Sequence, residues 1–406
     1  MNPSALSDIK VVEWSESVSG PYCGKLLADL GAEVIKIERP GFGDRSRSYG
    51  PFPQDIPHYE KSGLFLYLNT NKKSVTLDVT KATGAEIFRE LVKSADVLVE
   101  NNPPSLVEKL CLNFKNLKKL NKKLIVTSIT PFGYTGPYRD HKACELTSFN
   151  LSGLAFTNPY VGVDNIEEQP PLKGPPHQGE IIAGLGGAIT TMSAIFACNI
   201  SGFGQHVDIS EQEALTSMIR RDLGLYNYEG IIKTRIKGSQ PQVEFVMGHC
   251  KNGYFYMLCN TDKFWDAWVE LMDSPDWTKE AFCQDRASRR ENWYKIRPRI
   301  EEWSEGQLLE DIVSEAQSRR IPCMPINTIE ELYKSELLKD RDYFVEIDHK
   351  EAGKIKYPGA PYKLSQTPWH IKSPAPLLGE HNDKILGGQL GYSRKDLVKM
   401  RVEGVI

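Results

Sequence analysis

The chain has 406 residues, 40% of them hydrophobic and 25% charged, and this length predicts two domains because a single core rarely grows beyond about 250–300 residues. A formal net charge of −3 and a pI near 6.3 give no electrostatic reason to expect a nucleic acid or a membrane as partner. The sequence shows no signal-peptide pattern and no apolar run approaching the about 18 residues of a membrane span, which favours a cytoplasmic protein.

The first forty residues predict a strand, a helix and a second strand. The short apolar run Ile9 to Val12 is typical of a buried strand. Gly20-Pro21 breaks the chain and starts a helix, which Gly31 ends before the strand Val34 to Ile37. A unit this compact predicts a parallel strand pair with a right-handed crossover, and ligands of such sheets gather beyond the carboxyl ends of the strands.

Strand and helix signals continue to alternate along the first third of the chain. Strands are predicted at Ser74 to Asp78, Asp96 to Glu100 and Leu124 to Ile129, with a helix at Gly84 to Ser94. This alternation predicts a doubly wound α/β sheet. A long apolar helix is predicted from Ile181 to Cys198, and its small residues indicate close packing against another helix or chain.

The character of the sequence changes from about residue 231 to residue 321, where helical segments carry most of the tryptophans. We expect a large Rossmann-like domain over residues 1–225 and a smaller α+β domain over residues 226–325. Residues 326–406 contain a proline-rich stretch without a core of its own, so we expect this segment to return to the large domain or to a partner.

The eight cysteines and eight histidines are scattered along the chain. No CxxC pair is present, which favours reduced thiols and argues against a zinc site. The histidines show neither metal-ligand nor catalytic-triad spacing, so no metal is expected.

The N-terminal segment resembles the class III CoA-transferases, the group that contains formyl-CoA transferase, carnitine CoA-transferase and the related α-methylacyl-CoA racemase. The resemblance rests on Gly20-Pro21 followed by the run Leu30 to Pro40, and on later matches at residues 69–74, 96–101, 201–210, 321–325 and 375–381. It covers nearly the whole chain. It implies that the large domain binds coenzyme A, that an acyl-CoA and a carboxylic acid are the substrates, and that two chains interlock in a dimer. No GxGxxG motif supports a nicotinamide cofactor.

The resemblance places the catalytic acid in the pair Gly179-Glu180, where family members have Gly-Asp. In the family this carboxylate attacks a thioester to form a mixed anhydride, and CoA thiolate then converts it into an enzyme-bound thioester. Glu180 is one methylene longer than Asp, but the start of a helix still favours an anion and offers N–H groups to an oxyanion. Glu145 matches an acid near the active site of formyl-CoA transferase and is expected to be an auxiliary acid.

Both acids also have a plain structural interpretation. Glu180 can simply complement the helix dipole, and Glu145 can be a solvated or ion-paired loop charge. His177 lies close to Glu180 in sequence, where capping or exposure competes with substrate contact.

Coenzyme A carries phosphates, so basic and polar residues after the strands are candidate ligands. The residues expected to contact it are Val18, Arg39, Lys72, Lys73, Asn101, Lys109 and Lys142. Arg39 and Asn101 match family positions directly, whereas Lys109 replaces an arginine and loses its two-pronged hydrogen bonding. Val18 stands where formyl-CoA transferase has a glutamine beside the nucleophile. Together with Phe149 and Leu154 it predicts an acceptor acid larger and less polar than oxalate.

Three functions are consistent with these residues. The first is a CoA-transferase that uses Glu180 as nucleophile. The second is a non-catalytic, CoA-binding subunit of a hetero-oligomeric transferase. In that case the change from Asp to Glu is the sign of a site that no longer catalyses the reaction. The third is an acyl-CoA racemase or isomerase, which the missing histidine of the racemases disfavours.

Overall fold

A computed structural model describes residues 4–159, 163–235 and 245–406. The described residues fall into two compact units. The first comprises Met1–Ala155, Lys173–Ile232 and Asp342–Ile406, and the second comprises Phe156–Leu172 and Lys233–Arg341.

Six parallel strands form the central sheet of the first unit, in the order β3-β2-β1-β4-β5-β6. They are β1 Lys10–Trp14, β2 Glu33–Glu38, β3 Lys72–Thr76, β4 Val97–Glu100, β5 Ile125–Thr130 and β6 His206–Ser210. The chain runs outward from β1 to β3 and then returns to β4 on the other side of β1, which creates a switch point between β1 and β4. The predicted Rossmann-like α/β class is therefore confirmed.

The remaining described strands are antiparallel. In the second unit, β7 Phe245–Cys250, β8 Gly253–Leu258 and β9 Cys323–Pro325 form one sheet. In the first unit, β10 Phe344–His349 pairs with β11 Gly353–Pro358.

Helices cover both faces of the parallel sheet. Those of the first unit are α1 Ser19–Asp29, α2 Gly63–Leu68, α3 Ala82–Lys93, α4 Pro104–Lys109, α5 Phe114–Leu117, α6 Glu145–Leu151, α7 Gln178–Ser201, α8 Glu211–Thr216, α9 Arg220–Glu229 and, near the end of the chain, α16 Arg394–Val402. Those of the second unit are α10 Asp262–Leu271, α11 Arg286–Glu291, α12 Trp293–Glu305, α13 Leu309–Ser318, α14 Ile329–Lys334 and α15 Glu336–Asp340. Asp383–Gln389 forms a π-helical segment.

Alternating strand residues build two cores, one on each face of the sheet. On one face Val12 and Leu98 pack with Phe88 of α3. On the other face Val11 and Val97 pack with residues of α1 and α7. Both faces are thus buried, as in a doubly wound fold.

Two glycines of helix α7, Gly184 and Gly187, pack against the core of the first unit. A Cβ built on Gly184 would lie 2.5 Å from the carbonyl oxygen of Ser19, and one on Gly187 would lie 2.7 Å from Cδ1 of Ile129. The 24-residue helix is long and apolar enough to cross a membrane by length and composition alone. The sequence expectation that no apolar stretch approaches such a length is therefore wrong for α7, although its small-residue face is buried against α1 and β5.

The last part of the chain covers the edge strand β3. Ser74 accepts the N–H of Gly379 at its hydroxyl and the N–H of His381 at its carbonyl oxygen, both at 2.9 Å. Asn382 accepts the N–H of Thr76 at 2.9 Å and donates to its hydroxyl at 2.7 Å. The carbonyl oxygen of Ser74 and the N–H of Thr76 are thereby paired, although an edge strand would otherwise expose such backbone groups.

Candidate active site

The switch point of the sheet is held together by Asn101, which follows β4. Its Oδ1 accepts the N–H of Glu16 at 2.9 Å, and its Nδ2 donates to the carbonyl oxygen of Glu16 at 2.7 Å. Ser17 adopts a left-handed φ of 67° and donates its N–H to Asp44 at 3.0 Å. The loop after β1 is therefore fixed on both sides, and it leads directly into α1.

The contact between α1 and α7 brings the start of α7 to this edge of the sheet. Ser19 begins α1, and Gly184 of α7 lies against its carbonyl oxygen. Since Glu180 precedes Gly184 by one helical turn, its carboxylate lies near the residues that follow β1.

Glu180 lies in the first turn of α7, and 16% of its side chain is exposed. Its Oε2 is 2.7 Å from Nδ1 of His177, the residue that precedes the helix and has a left-handed φ of 65°. Burial raises the pKa of Glu180, and the hydrogen bond and charge of His177 oppose that rise. Within the described part of the chain, Oε1 of Glu180 has no hydrogen-bond partner.

Glu145, the first residue of α6, lies beside this pair. Its Oε1 accepts the N–H of Gly179 at 3.2 Å, and its Oε2 is 2.9 Å from Nζ of Lys173. The structure therefore brings together Glu145 and Glu180, as the sequence predicted. It also shows that the N–H of Gly179 is already occupied, so this group is not the free oxyanion donor expected at the start of α7.

A third acid, Glu211, completes the cluster and was missed at the level of sequence. It begins α8, immediately after β6, and is 6% exposed. The hydroxyl of Ser148 donates to its Oε2 at 3.3 Å. Burial, reinforced by the charge of Glu180, raises the pKa of Glu211 to about 7. A position at the carboxyl end of a sheet strand is a signal for a site residue, but β6 was not predicted from the sequence, so this signal could not be used.

His177 and Lys173 are the two basic residues of the cluster, and nothing in the sequence distinguished Lys173 from the other lysines. Ligand atoms of Glu145, His177 and Glu180 lie within 4.8 Å of one another, so these three residues could in principle bind a metal. However, Lys173 already neutralises Glu145. The expectation of no metal stays a prediction.

Two of the predicted coenzyme A contacts are enclosed in the protein. Lys72 is 2% exposed, and its Nζ binds Glu13 at 2.8 Å, the carbonyl oxygen of Pro21 at 2.7 Å and Asn69 at 2.9 Å. Val18 is fully buried. These positions argue against both predictions, because neither side chain reaches solvent and every N–H of Lys72 has a partner.

The other predicted contacts differ in accessibility. Arg39, Lys109 and Lys142 are exposed, and the Arg39 guanidinium lies 5.5 Å from the ring centre of Phe42. Lys73 forms an ion pair with Glu33. Arg39 follows β2 directly, and Lys109 ends α4. The coenzyme A contacts of Arg39, Lys73, Lys109 and Lys142 stay predictions.

The basis for a large, apolar acceptor acid is also weakened. Phe149 is 2% exposed and packs in a small core with Ala155 and Leu215. Because Val18 and Phe149 are both buried in the protein, they do not form an open apolar wall for a substrate.

The model of CoA-transferase family III matches residues 6–382, and the chain therefore belongs to this family. The family implies an acyl-CoA and a carboxylate as substrates. The identification from the N-terminal motif and the assignment as a CoA-transferase are thereby confirmed.

Relatives of known name are similar along the whole chain. The formyl-CoA:oxalate CoA-transferases of Rhodopseudomonas palustris (strain BisA53) and Afipia carboxidovorans are 31% identical over 427 residues and 32% identical over 429 residues. Each alignment covers 99% of this chain and 97% of the relative. The crystal structure of a CAIB/BAIF family protein from Brucella suis is similar with a TM-score of 0.82 and 27% identity, covering 96% of this chain and 100% of that one.

Proposed function

We propose that this chain moves coenzyme A from an acyl-CoA to a carboxylic acid, with Glu180 as the nucleophile. This role is supported by a difference in hydrogen bonding between the two carboxylate oxygens of Glu180. His177 binds Oε2 at 2.7 Å, whereas Oε1 has no hydrogen-bond partner in the described ranges. One oxygen is therefore held and the other is available for attack.

In this proposal Oε1 of Glu180 attacks the thioester carbonyl, and CoA thiolate leaves as the mixed anhydride forms. The thiolate then attacks the Glu180 carbonyl carbon and expels the first acid, which leaves coenzyme A on the enzyme as a thioester. The acceptor acid repeats the two steps in reverse. Burial raises the pKa of Glu180, which makes its carboxylate a better nucleophile as long as the group stays ionised.

Glu145 and Lys173 support this arrangement without entering the bond changes. The ion pair of Lys173 with Glu145, at 2.9 Å, limits the repulsion between the two carboxylates. Glu145 also holds the N–H of Gly179, which fixes the first turn of α7. The pair therefore orients Glu180.

The substrate acids, the oligomer and the compartment belong to the same proposal. The named relatives are formyl-CoA:oxalate CoA-transferases, and we propose a carboxylic acid as acceptor here, without fixing its size. We further propose a dimer of interlocked chains in the cytoplasm, either of two identical copies or with a paralogous subunit. Large apolar side chains on the outer face of α7 support such a partner, namely Leu185, Ile189, Phe196 and Ile200.

A trapping experiment distinguishes the proposed transferase from a non-catalytic subunit. The purified chain is mixed with succinyl-CoA and hydroxylamine, which intercepts activated carboxyl groups, and the digested protein is analysed by mass spectrometry. We expect a hydroxamate on the peptide that carries Glu180, absent in Glu180→Gln and still formed in Glu145→Gln. Coenzyme A binding without a hydroxamate for any acyl-CoA donor would instead identify the chain as a non-catalytic subunit.

A further inference from the structure

Glu211 is a buried acid whose contacts are hydroxyl groups. It accepts a hydrogen bond from Ser148 of α6 at 3.3 Å, and the hydroxyl of Ser19 at the start of α1 also lowers its pKa. Among the described residues, no lysine, arginine or histidine forms an ion pair with it. A carboxylate buried without a cation is costly, so this environment favours the neutral acid.

The two neighbouring acids are compensated, which sets Glu211 apart. Glu145 pairs with Lys173 at 2.9 Å, and Glu180 pairs with His177 at 2.7 Å. Leu215, one turn after Glu211 on α8, lies 3.0 Å from a Cβ built on Gly179. The face of α8 that carries Glu211 therefore packs against the start of α7.

The Ser148 hydroxyl offers a Glu211 carboxylate only partial compensation for its burial, because three acceptors compete for its hydrogen. The Ser148 hydroxyl lies 3.4 Å from the carbonyl oxygen of Cys144, 3.3 Å from that of Glu145 and 3.3 Å from Glu211. It has one hydrogen and can donate to one of them at a time. When that hydrogen goes to a carbonyl oxygen, Glu211 loses its donor from Ser148.

We propose that Glu211 is a positioning residue that holds a proton while Glu180 is ionised and releases it when Glu180 is converted into its coenzyme A thioester. This inference rests on the proposed function. The charge of Glu180 is the largest electrostatic cause that raises the pKa of Glu211, so removing that charge lowers it.

The proton balance of the first half-reaction follows directly. A bond forms between Glu180 and the acyl carbon while the C–S bond breaks, and thiolate then expels the acid as an anion. Glu180 has become neutral, so the enzyme has lost one negative charge. The Glu211 proton passes to solvent, and the Glu211 carboxylate restores that charge opposite Lys173 and His177. The second half-reaction returns the proton.

The other charged groups near Glu211 come from the elements that surround α8. Glu145 comes from α6, Glu180 and His177 come from the start of α7, and Lys173 comes from the preceding loop. On β6, Asp208 accepts the N–H of Tyr134 at 3.0 Å. Among these neighbours of Glu211, Glu180 is the one whose charge the proposed bond changes remove.

The test is proton release on acylation. The enzyme is mixed at pH 6.5 with succinyl-CoA, without an acceptor acid, in a weakly buffered solution that contains a pH indicator. If one neighbouring charge shifts the pKa by about one unit, about half a proton appears per acylated chain. Glu211→Gln is expected to release none while still forming the hydroxamate at Glu180, and Glu213→Gln, on the exposed side of the same helix, is expected to release as much as the wild type. Equal release from Glu211→Gln would overturn the proposal.

A second measurement separates this inference from the proposed function. If no chain is acylated, the proposed function fails, and the carboxyl ¹³C resonance of Glu211 is titrated instead in the free enzyme and in Glu180→Gln. We expect its pKa to fall by about one unit in the variant. An unchanged pKa would overturn the coupling. If Glu211→Gln does not fold, Ser148→Ala serves, because loss of a hydrogen bond that lowers the pKa of Glu211 must move the release to higher pH.

Discussion

Gly184 of α7 and Ser19 of α1 meet backbone to backbone, with only 2.5 Å between a Cβ built on Gly184 and the carbonyl oxygen of Ser19. This contact sets the distance between the loop after β1 and the first turn of α7. Glu180 lies on the α7 side of this contact, and Ser19, whose hydroxyl lowers the pKa of Glu211, lies on the α1 side.

Gly184→Ala is expected to displace α7 and to lower the free energy of unfolding by about 1–3 kcal/mol, since the obstacle is backbone that cannot rotate away. CoA transfer should fall at the same time, because Glu180 moves with the helix. Gly186→Ala is the matched control, since nothing lies within 4 Å of its Cβ position and alanine favours a helix. Thermal unfolding and initial rates of the two variants test this, and equal behaviour would contradict the packing argument.

Loss of the Lys72 side chain is expected to lower stability, whereas loss of the Arg39 side chain is expected to weaken the use of acyl-CoA. Lys72→Met leaves Glu13 with one buried cation fewer and should cost about 3–5 kcal/mol of unfolding free energy. Arg39→Ala should leave stability nearly unchanged and raise the KM for acyl-CoA. Denaturant unfolding and steady-state kinetics of both variants distinguish the roles. A stable Lys72→Met with a raised KM would restore Lys72 as a coenzyme A ligand.

His177→Ala is expected to shift the acid side of the pH–rate profile to higher pH. His177 is the largest cause that lowers the pKa of Glu180, so without it this pKa rises and a smaller fraction is ionised at low pH. Activity should therefore fall more at pH 5 than at pH 8. His370→Ala, at an exposed position, is the control. A uniform loss at all pH values would assign His177 to substrate contact instead.

Glu211 is expected to make stability depend on pH in the direction opposite to a salt-bridged acid. Its pKa is raised from 4.5 to about 7, so between these values the folded chain holds a proton that the unfolded chain has lost. Unfolding free energy therefore falls as pH rises from 4.5 to 7, by up to about 3 kcal/mol. Glu211→Gln should remove this fall, whereas Glu213→Gln should keep it. Urea unfolding at pH 5 and pH 8 provides the comparison.

Local apolar runs allowed five of the six sheet strands to be predicted, and the dense N-terminal motif identified the family. The resemblance to that family then pointed to Glu145 and Glu180 as members of one site. Lys72 could not be placed from sequence. A lysine at a strand start is usually exposed, and its burial depends on Glu13, which comes from a strand two positions away in the sheet. Glu211 was missed for a related reason, since its environment is assembled from α1, α6 and α7.

The hydrogen bond between Ser74 and Gly379 joins residues 305 positions apart. On a ribosome, β3 therefore emerges long before the segment that covers it, and at about 5–20 residues per second the delay is roughly 15 to 60 seconds. During that time the nascent chain presents an unpaired strand edge, which is a template for association with other chains. We therefore expect the risk of aggregation through this strand edge to be greatest while the chain is being synthesised.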